Sequence, residues 1–449
     1  MRNFHLPTAL LPDGWAADVL VSHRDGVITA VAAGVPCPPD ADRLDGAAIP
    51  GIANLHSHAH QRAMAGLAER SGAGADNFWT WREAMYATSG RLDPDGFEAV
   101  ATQLYIEMLR AGTTAVAEFH YLHHDPAGHP YADPAELSHR IIAAASAAGI
   151  GLTLLPVLYV ASGFGGAPTT AGQRRFATGL DGFERLRARL PPPGLGLVHG
   201  VAPHSLRAVP PDALAALVAA APAGPIHIHV AEQPQEVADC LRHTGQRPVR
   251  WLLDHAPVDA RWCLIHATHA DADELAALAA SGAVAGLCPT TEANLGDGVF
   301  PACAYQSAGG RFGIGSDSQV CVSPWEELRL LEYGQRLTLG RRTVLAGGPG
   351  RSTGRTLVET AARHGAQACG FAGGSIAPGM RCDIAVLDIA HPRLAGREGD
   401  ALLDAAVFAG PAPVRHVIAG GRCVVRDGVH PLQETALRGF TDVMRRLAA

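Results

Sequence analysis

Eight short apolar runs, rich in β-branched residues, recur through the middle of this chain at 51–56, 113–119, 151–158, 195–202, 225–230, 262–267, 283–288 and 311–316. Ala/Leu-rich amphipathic stretches follow most of them, at 134–148, 211–221, 234–243, 271–281 and 324–336. A strand covered on both faces reads as a continuous apolar run, and repeated strand-then-helix units set parallel strands side by side. Eight such units predict an α/β chain folded as a closed (β/α)8 TIM-like barrel. The ends of these runs narrow the reading further. Strand after strand finishes in a side chain able to do chemistry: His56 and His58, then His120-Tyr121, His204, His229, His266 and Asp317. In such a barrel the functional mouth lies at the C-terminal strand ends, so one site accounts for all of them.

The two ends of the chain read differently. Ala17-Asp18-Val19-Leu20-Val21 and Val27-Ile28-Thr29-Ala30-Val31 flank His23-Arg24-Asp25-Gly26, whose Asp-Gly pair predicts a hairpin turn. Cys382-Asp383-Ile384-Ala385-Val386-Leu387 and the segment 414–425, with Gly420-Gly421 as its turn, match that style. Two β-rich ends around a long middle predict a small composite β-sandwich domain from 1–48 with 366–449, and a barrel over 49–365 inserted between them.

Composition removes several classes of function. The formal charge is −7 with no long basic run, which argues against nucleic acid and anionic membrane as partners. Every one of the 36 basic residues is arginine. A Schiff-base lysine, a P-loop lysine and a carboxylated lysine bridging two metals are all excluded. The nine cysteines are scattered, odd in number and form no C-x-x-C pair, which points to a reducing compartment and away from a disulfide frame or a thiolate zinc site. No signal-like apolar run follows Met1-Arg2-Asn3-Phe4-His5. The most apolar stretch, 149–166, is broken by Thr153, Pro156, Ser162 and several glycines, so it reads as a buried strand and loop rather than a span of about 20 residues. A soluble, cytoplasmic chain is expected.

The metal-ligand pattern comes in three separated pieces. In Leu55-His56-Ser57-His58 two imidazoles at i and i+2 of a strand share one face and can reach one ion. In Ile226-His227-Ile228-His229-Val230 the same period leaves His227 and His229 on one face; His229 is preferred because it lies nearer the strand end, with Glu232 three residues on. Gly315-Ser316-Asp317 supplies a carboxylate after the eighth strand. Three imidazoles and a carboxylate suit one divalent ion, Zn²⁺ first, with Fe²⁺ or Mn²⁺ as alternatives, and leave a position for water. The histidines at 120, 123, 124 and 129 fall in a stretch interrupted by Pro126 and Gly128, and are expected in a substrate loop rather than a second metal site.

His56-Ser57-His58, His229 with Glu232, His266 and Gly315-Ser316-Asp317 together resemble the amidohydrolase superfamily in its mononuclear deaminase branch. The resemblance runs from about 15 to 430 and includes Gly374-Ser375-Ile376-Ala377-Pro378-Gly379. Within that branch Asn54-Leu55-His56-Ser57-His58-Ala59-His60-Gln61-Arg62, Phe78-Trp79-Thr80-Trp81-Arg82-Glu83, Ala117-Glu118-Phe119-His120-Tyr121 and Ala202-Pro203-His204-Ser205-Leu206-Arg207 are similar to the formimidoylglutamate deiminases. That resemblance implies hydrolysis of a carbon–nitrogen bond in a linear amidine, N-formimino-L-glutamate, to N-formyl-L-glutamate and ammonia, a step of histidine catabolism. It also implies substrate contacts from Gln61, Arg82, Tyr121, His204 and Arg207. His60 departs from the pattern, which has Phe there. The residues suit that substrate class: it is a small dicarboxylate, an arginine fork is the preferred partner of a carboxylate, and Arg82 and Arg207 are expected in loops after strands one and four.

The mechanism expected is attack of metal-activated hydroxide on the amidine carbon, with Asp317 and His266 fixing the water, His266 steadying charge, and Glu232 carrying a proton to the departing ammonia. A related aminohydrolase acting on a nucleobase, nucleoside, triazine or other cyclic amidine is the rival, with imidazolonepropionate hydrolysis a closer one. A dead hydrolase fold serving as a scaffold would be expected to lack ligands or the proton carrier, and here both are present. A homodimer is the default expectation for assembly.

Overall fold

A computed structural model of the chain describes residues 2–70, 74, 76–221 and 223–448. Strands Arg2–Leu11, Gly14–Arg24 and Val27–Ala32 form an antiparallel meander. Its second turn is the expected Asp25-Gly26 pair, both residues at positive φ (49° and 81°), the geometry that lets a two-residue hairpin follow the strands' own twist. Arg2–Leu11 also pairs with Ala47–Pro50, which pairs with Ile384–Leu387, then Val414–Ala419, then Arg422–Val425. Residues from both ends of the chain therefore share one sheet. Phe4, Leu6, Val19, Val21, Ile384, Val386 and Ile418 join in a single buried cluster on it.

Between these ends run the parallel strands β1 (Ile52–Ser57), β2 (Thr113–His120), β3 (Gly151–Leu158), β4 (Leu197–His199 and Ala202–Pro203), β5 (Ile226–Val230), β6 (Trp262–His266), β7 (Val284–Leu287) and β8 (Arg311–Ile314). Neighbours in that order pair in parallel from β1 to β4 and from β5 to β8. Two seams complete the circuit. Val201 bridges to Ile226 and Ser205 to His229, joining β4 to β5. Ser57 bridges to Asp317 while the amides of Ser316 and Asp317 donate to the His56 carbonyl at 3.1 and 3.0 Å, bringing β8 back to β1. Gly315 makes this seam possible, because a Cβ there would stand 2.7 Å from His56 Cβ.

The strands fall within a few residues of their expected positions. The fourth differs: it breaks at Gly200, where a Cβ would press on Leu155 and the Pro225 carbonyl, so the chain passes too close to its neighbours to stay in register. The expected helices appear at Glu136–Ala148, Pro211–Ala219, Pro234–Thr244, Ala272–Ser281 and Pro324–Leu339. Further helices at Phe78–Ser89, Pro94–Arg110, Thr353–Ala368 and Gln433–Ala448 were not anticipated. Arg82 therefore lies on a helix and not in a loop. That helix is started by Asn77, whose side chain accepts from Trp79 N while Thr80 closes a capping box, satisfying donors a helix start leaves unpaired. Residues 149–166 divide into β3 and the loop after it, and no helix among the described residues is long and apolar enough to cross a membrane.

Candidate metal centre

His58, Tyr121, His204, His229, His266 and Asp317, from the ends of six strands, open toward one cavity, and three imidazoles and a carboxylate meet at its floor. His56, His58 and His229 each place a ring nitrogen within 4.8 Å of the others. The Nε2 atoms of His56 and His229 are 3.1 Å apart, and Asp317 Oδ1 lies 3.4 Å from His56 Nε2 and 3.3 Å from His58 Nε2. A tetrahedral ion with bonds of about 2.0–2.1 Å sets its donors about 3.3 Å apart, so this spacing is that of a ready-made ligand shell. The tautomers agree. His58 Nδ1 donates to the Phe119 carbonyl at 2.9 Å and His229 Nδ1 to the His204 carbonyl at 3.0 Å, leaving each Nε2 with its lone pair facing inward.

Burial and charge poise the same groups. Burial pushes His56 down to about 3 and His229 well below the usual imidazole range, so both are neutral and able to ligate. Burial alone would raise Asp317, yet the imidazoles of His56, His58 and His266 around it hold its carboxyl well below the usual range. His266 behaves oppositely. Burial disfavours its charged form, but Glu232, Glu292 and Asp317 raise it to about 10. Its Nε2 lies 3.6 Å from Asp317 Oδ2 and 3.8 Å from Glu232 Oε1, and its Nδ1 donates to Glu292 at 3.2 Å. His266, Cys288 and Asp317 form a second close group, in which Glu232, Glu292 and Asp317 favour the protonated form of His266 and burial holds the Cys288 thiol well above its ordinary value, so neither is as ready a ligand as the three imidazoles. Burial raises Glu232 to about 7, with His266 and Arg207 opposing, which suits a carboxyl that exchanges a proton near neutrality. His266 and Asp317 both have positive φ (68° and 47°), a conformation costly for side-chain-bearing residues and concentrated at functional sites.

Gln61, Tyr121, His204, Arg82 and Arg207 are among the residues that line the cavity above this floor. Gln61 Nε2 donates to the Tyr121 hydroxyl at 2.7 Å. Burial holds the Tyr121 phenol well above its ordinary value, so it stays protonated and its own O–H remains to be donated. His204 is kept neutral by burial and the nearby Arg207. The Nε atoms of Arg82 and Arg207 are buried without a hydrogen-bond partner, and neither guanidinium forms an ion pair among the described residues.

Residues 47–424 match the amidohydrolase family. This chain belongs to the amidohydrolase family. Among similar family members, formimidoylglutamate deiminase of Pseudomonas aeruginosa is 55% identical, with 98% of each chain covered. A 5-methylthioadenosine/S-adenosylhomocysteine deaminase of Haloarcula marismortui is 28% identical over 94% of this chain and 92% of its own. An amidohydrolase crystal structure from Brucella melitensis superposes with a TM-score of 0.94 at 49% identity, covering all of both chains.

In this amidohydrolase the structure brings His56, His58, His229, Asp317, His266 and Glu232 to one end of the ring of strands, with Gln61, Arg82, Tyr121, His204 and Arg207 on the same cavity. His227 is spent elsewhere: its Nε2 donates to the Ala368 carbonyl at 2.8 Å. The expected histidine-rich substrate loop is not at the cavity. His120 stacks on Phe97, His123 donates to the Val157 carbonyl at 2.8 Å, His124 is only half-buried, and His129 is exposed, pairing with Asp125. Sequence reading missed Glu292, which sits on the short helix Pro289–Leu295 and braces His266. It also missed the aromatic wall of Phe78, Trp81, Tyr86, Tyr159 and Phe176. The paired aromatics and the Asn77 cap were the available signals for that wall.

Proposed function

We propose that this chain catalyses hydrolytic deimination of N-formimino-L-glutamate, yielding N-formyl-L-glutamate and ammonia. One observation carries the choice of substrate: two guanidiniums, Arg82 and Arg207, line the cavity above the metal floor, and among the described residues no carboxylate lies in ion-pair contact with either. Both side chains are half-buried, Glu236 and Glu232 act on Arg207 through their field without bonding to it, and a ligand bearing two carboxylates supplies each guanidinium fork with an in-plane partner. A nucleobase would use the aromatic wall but leave both cations unsatisfied. The test is ammonia release from N-formimino-L-glutamate by purified, metal-assayed protein, with the remaining product identified by mass. No ammonia from metal-replete protein, with turnover of a neutral purine instead, overturns the substrate class.

His56, His58, His229 and Asp317 hold one divalent ion, Zn²⁺ being the reading best suited to three imidazoles and a carboxylate, with Fe²⁺ or Mn²⁺ able to take the place. When bound, that ion lowers the pKa of water toward neutrality and polarises the amidine carbon. Arg82, Arg207, Tyr121, His204 and Gln61 hold the carboxylates and set the formimino carbon over the floor. Asp317 Oδ2 and His266 Nε2 fix the line of attack, and His266, as a cation, steadies the negative charge that develops. Glu232 takes one proton from the attacking water and returns it to the imino nitrogen, and the water's second proton follows from the new hydroxyl as the C=O bond forms, so that the C–N bond breaks and the nitrogen leaves as ammonia.

The ring of strands is read as a (β/α)8 barrel over 49–365, and the sheet from 1–48 with 366–449 as a small sandwich folded over its own apolar cluster. Soluble, cytoplasmic residence and a homodimer remain the working expectations for such an enzyme.

A further inference from the structure

We propose that Trp79 is a positioning residue that holds Arg82 and Arg207 ready for the substrate by giving both guanidiniums one shared aromatic surface. The inference rests on the reading that these arginines bind the substrate's carboxylates. Arg82 Cζ lies 4.6 Å from the centre of the Trp79 ring and Arg207 Cζ 5.6 Å from it. The two arginines come from different places, Arg82 from the helix Phe78–Ser89 and Arg207 from the segment after β4, and this indole is the ring they have in common. Tyr86 adds a second face to Arg82 at 5.5 Å and Phe78 one to Arg207 at 5.7 Å. Both arginines line the cavity, whereas Trp79 does not, so it acts through them.

The chemistry explains why an aromatic ring and not a carboxylate serves here. Two like charges in one half-buried cavity repel; Glu236 and Glu232 favour the Arg207 cation from a distance, but an acidic side chain bonded directly to either guanidinium would occupy the in-plane N–H groups that the substrate needs. An indole attracts a cation through its ring face and takes none of those donors. Arg82 and Arg207 accordingly keep buried Nε donors with no partner. The Trp79 amide, meanwhile, donates to Asn77 at the helix start, which fixes the backbone from which the ring projects. Trp79 thus prepares the pocket, and its loss should weaken substrate capture more than the chemical step.

The decisive experiment compares tryptophan with its fluorinated analogues at position 79 of the full-length, metal-loaded protein, introduced site-specifically because the chain has six tryptophans. Fluorine keeps the ring's shape and drains the charge from its face, so folding and metal content serve as controls. KM for N-formimino-L-glutamate should climb stepwise to at least fivefold from mono- to trifluoro-tryptophan, with kcat changing by less than the KM does. Trp79→Leu should raise KM at least tenfold, and Trp79→Phe should recover part of the loss. A KM that is flat across the fluorinated series overturns the proposal. Arg82→Ala and Arg207→Ala, measured alongside, separate the two readings. If neither raises KM, the arginine reading itself has failed; if both do while the fluorinated series is flat, only the role of Trp79 has.

Discussion

Glu292 stands directly behind His266, accepting the proton of its Nδ1 at 3.2 Å while the opposite ring nitrogen faces Asp317 at 3.6 Å. The same carboxylate oxygen also accepts from the Cys288 amide at 2.9 Å, so its position is set by the turn that starts the helix Pro289–Leu295. A buried anion at Nδ1 fixes the ring's orientation and favours its cationic form. Glu292→Gln keeps the shape and removes the charge. It should lower kcat roughly 10- to 100-fold with metal content retained, by analogy with the loss of outer partners of site histidines. Steady-state kinetics with metal analysis checks this; wild-type kcat in the variant means that orientation alone suffices.

Glu232 is poised to exchange protons at neutral pH, its carboxyl raised to about 7 by burial. Glu232→Gln should bind metal and substrate normally yet lose about 10²- to 10⁴-fold in kcat, the usual worth of a positioned general acid–base group. Near-normal turnover in this variant would remove it from the proton path.

The arginines should report on KM. A hydrogen bond to a charged group contributes about 1.5–3 kcal/mol, so Arg82→Ala and Arg207→Ala should each raise KM roughly 10- to 100-fold. Lysine should not restore either one, because it presents a point charge in place of a planar fork. The comparison is read from KM of the two alanine and two lysine variants against N-formimino-L-glutamate.

Glu118 ties the metal-binding strand to its neighbour. It accepts from Ser57 Oγ and Ala59 N, each at 2.6 Å, and from Tyr105 at 3.1 Å. Burial nevertheless outweighs these donors and raises its carboxyl from 4.5 to about 7. A carboxyl raised on folding takes up protons as the chain folds, so the stability it contributes is complete below its unfolded value and is lost as pH rises through about 7. Glu118→Gln should therefore be most destabilising, relative to wild type, near pH 5 and progressively less so toward pH 8. Urea unfolding of the metal-free proteins across that range measures the trend, which should amount to a few kcal/mol. A difference independent of pH would mean that Glu118 stays ionised throughout.

The strand ends were legible because a buried parallel strand is predominantly apolar until it reaches the mouth, so a histidine after such a run stands out. That is how His56, His58, His229, His266 and Asp317 could be picked from the chain without coordinates. Choosing His229 over His227 needed more than periodicity, since only the structure shows His227 bonded to Ala368. Arg82 is expected from the sequence in a loop after the first strand; the helix that carries it is specified at its cap, by Asn77 and Thr80. The histidines at 120, 123 and 124 misled because density of a residue type says nothing about direction, and they turn toward Phe97, Val157 and the Arg174–Arg175 backbone. Glu292 was invisible for a related reason: its partner lies on another strand, 26 residues away in sequence.

The pairing of Ala47–Pro50 with Ile384–Leu387 has a consequence for how the molecule comes into being. During synthesis the first three strands can form their hairpins at once, but this central strand must wait for a partner that leaves the ribosome only after the whole ring has been made. Until then the sheet presents an open edge, the kind that pairs with other chains. Contacts this distant in sequence form slowly. The sheet formed by the two termini is therefore expected to be the last part to assemble and the first to expose sticky edges when the chain is cut short.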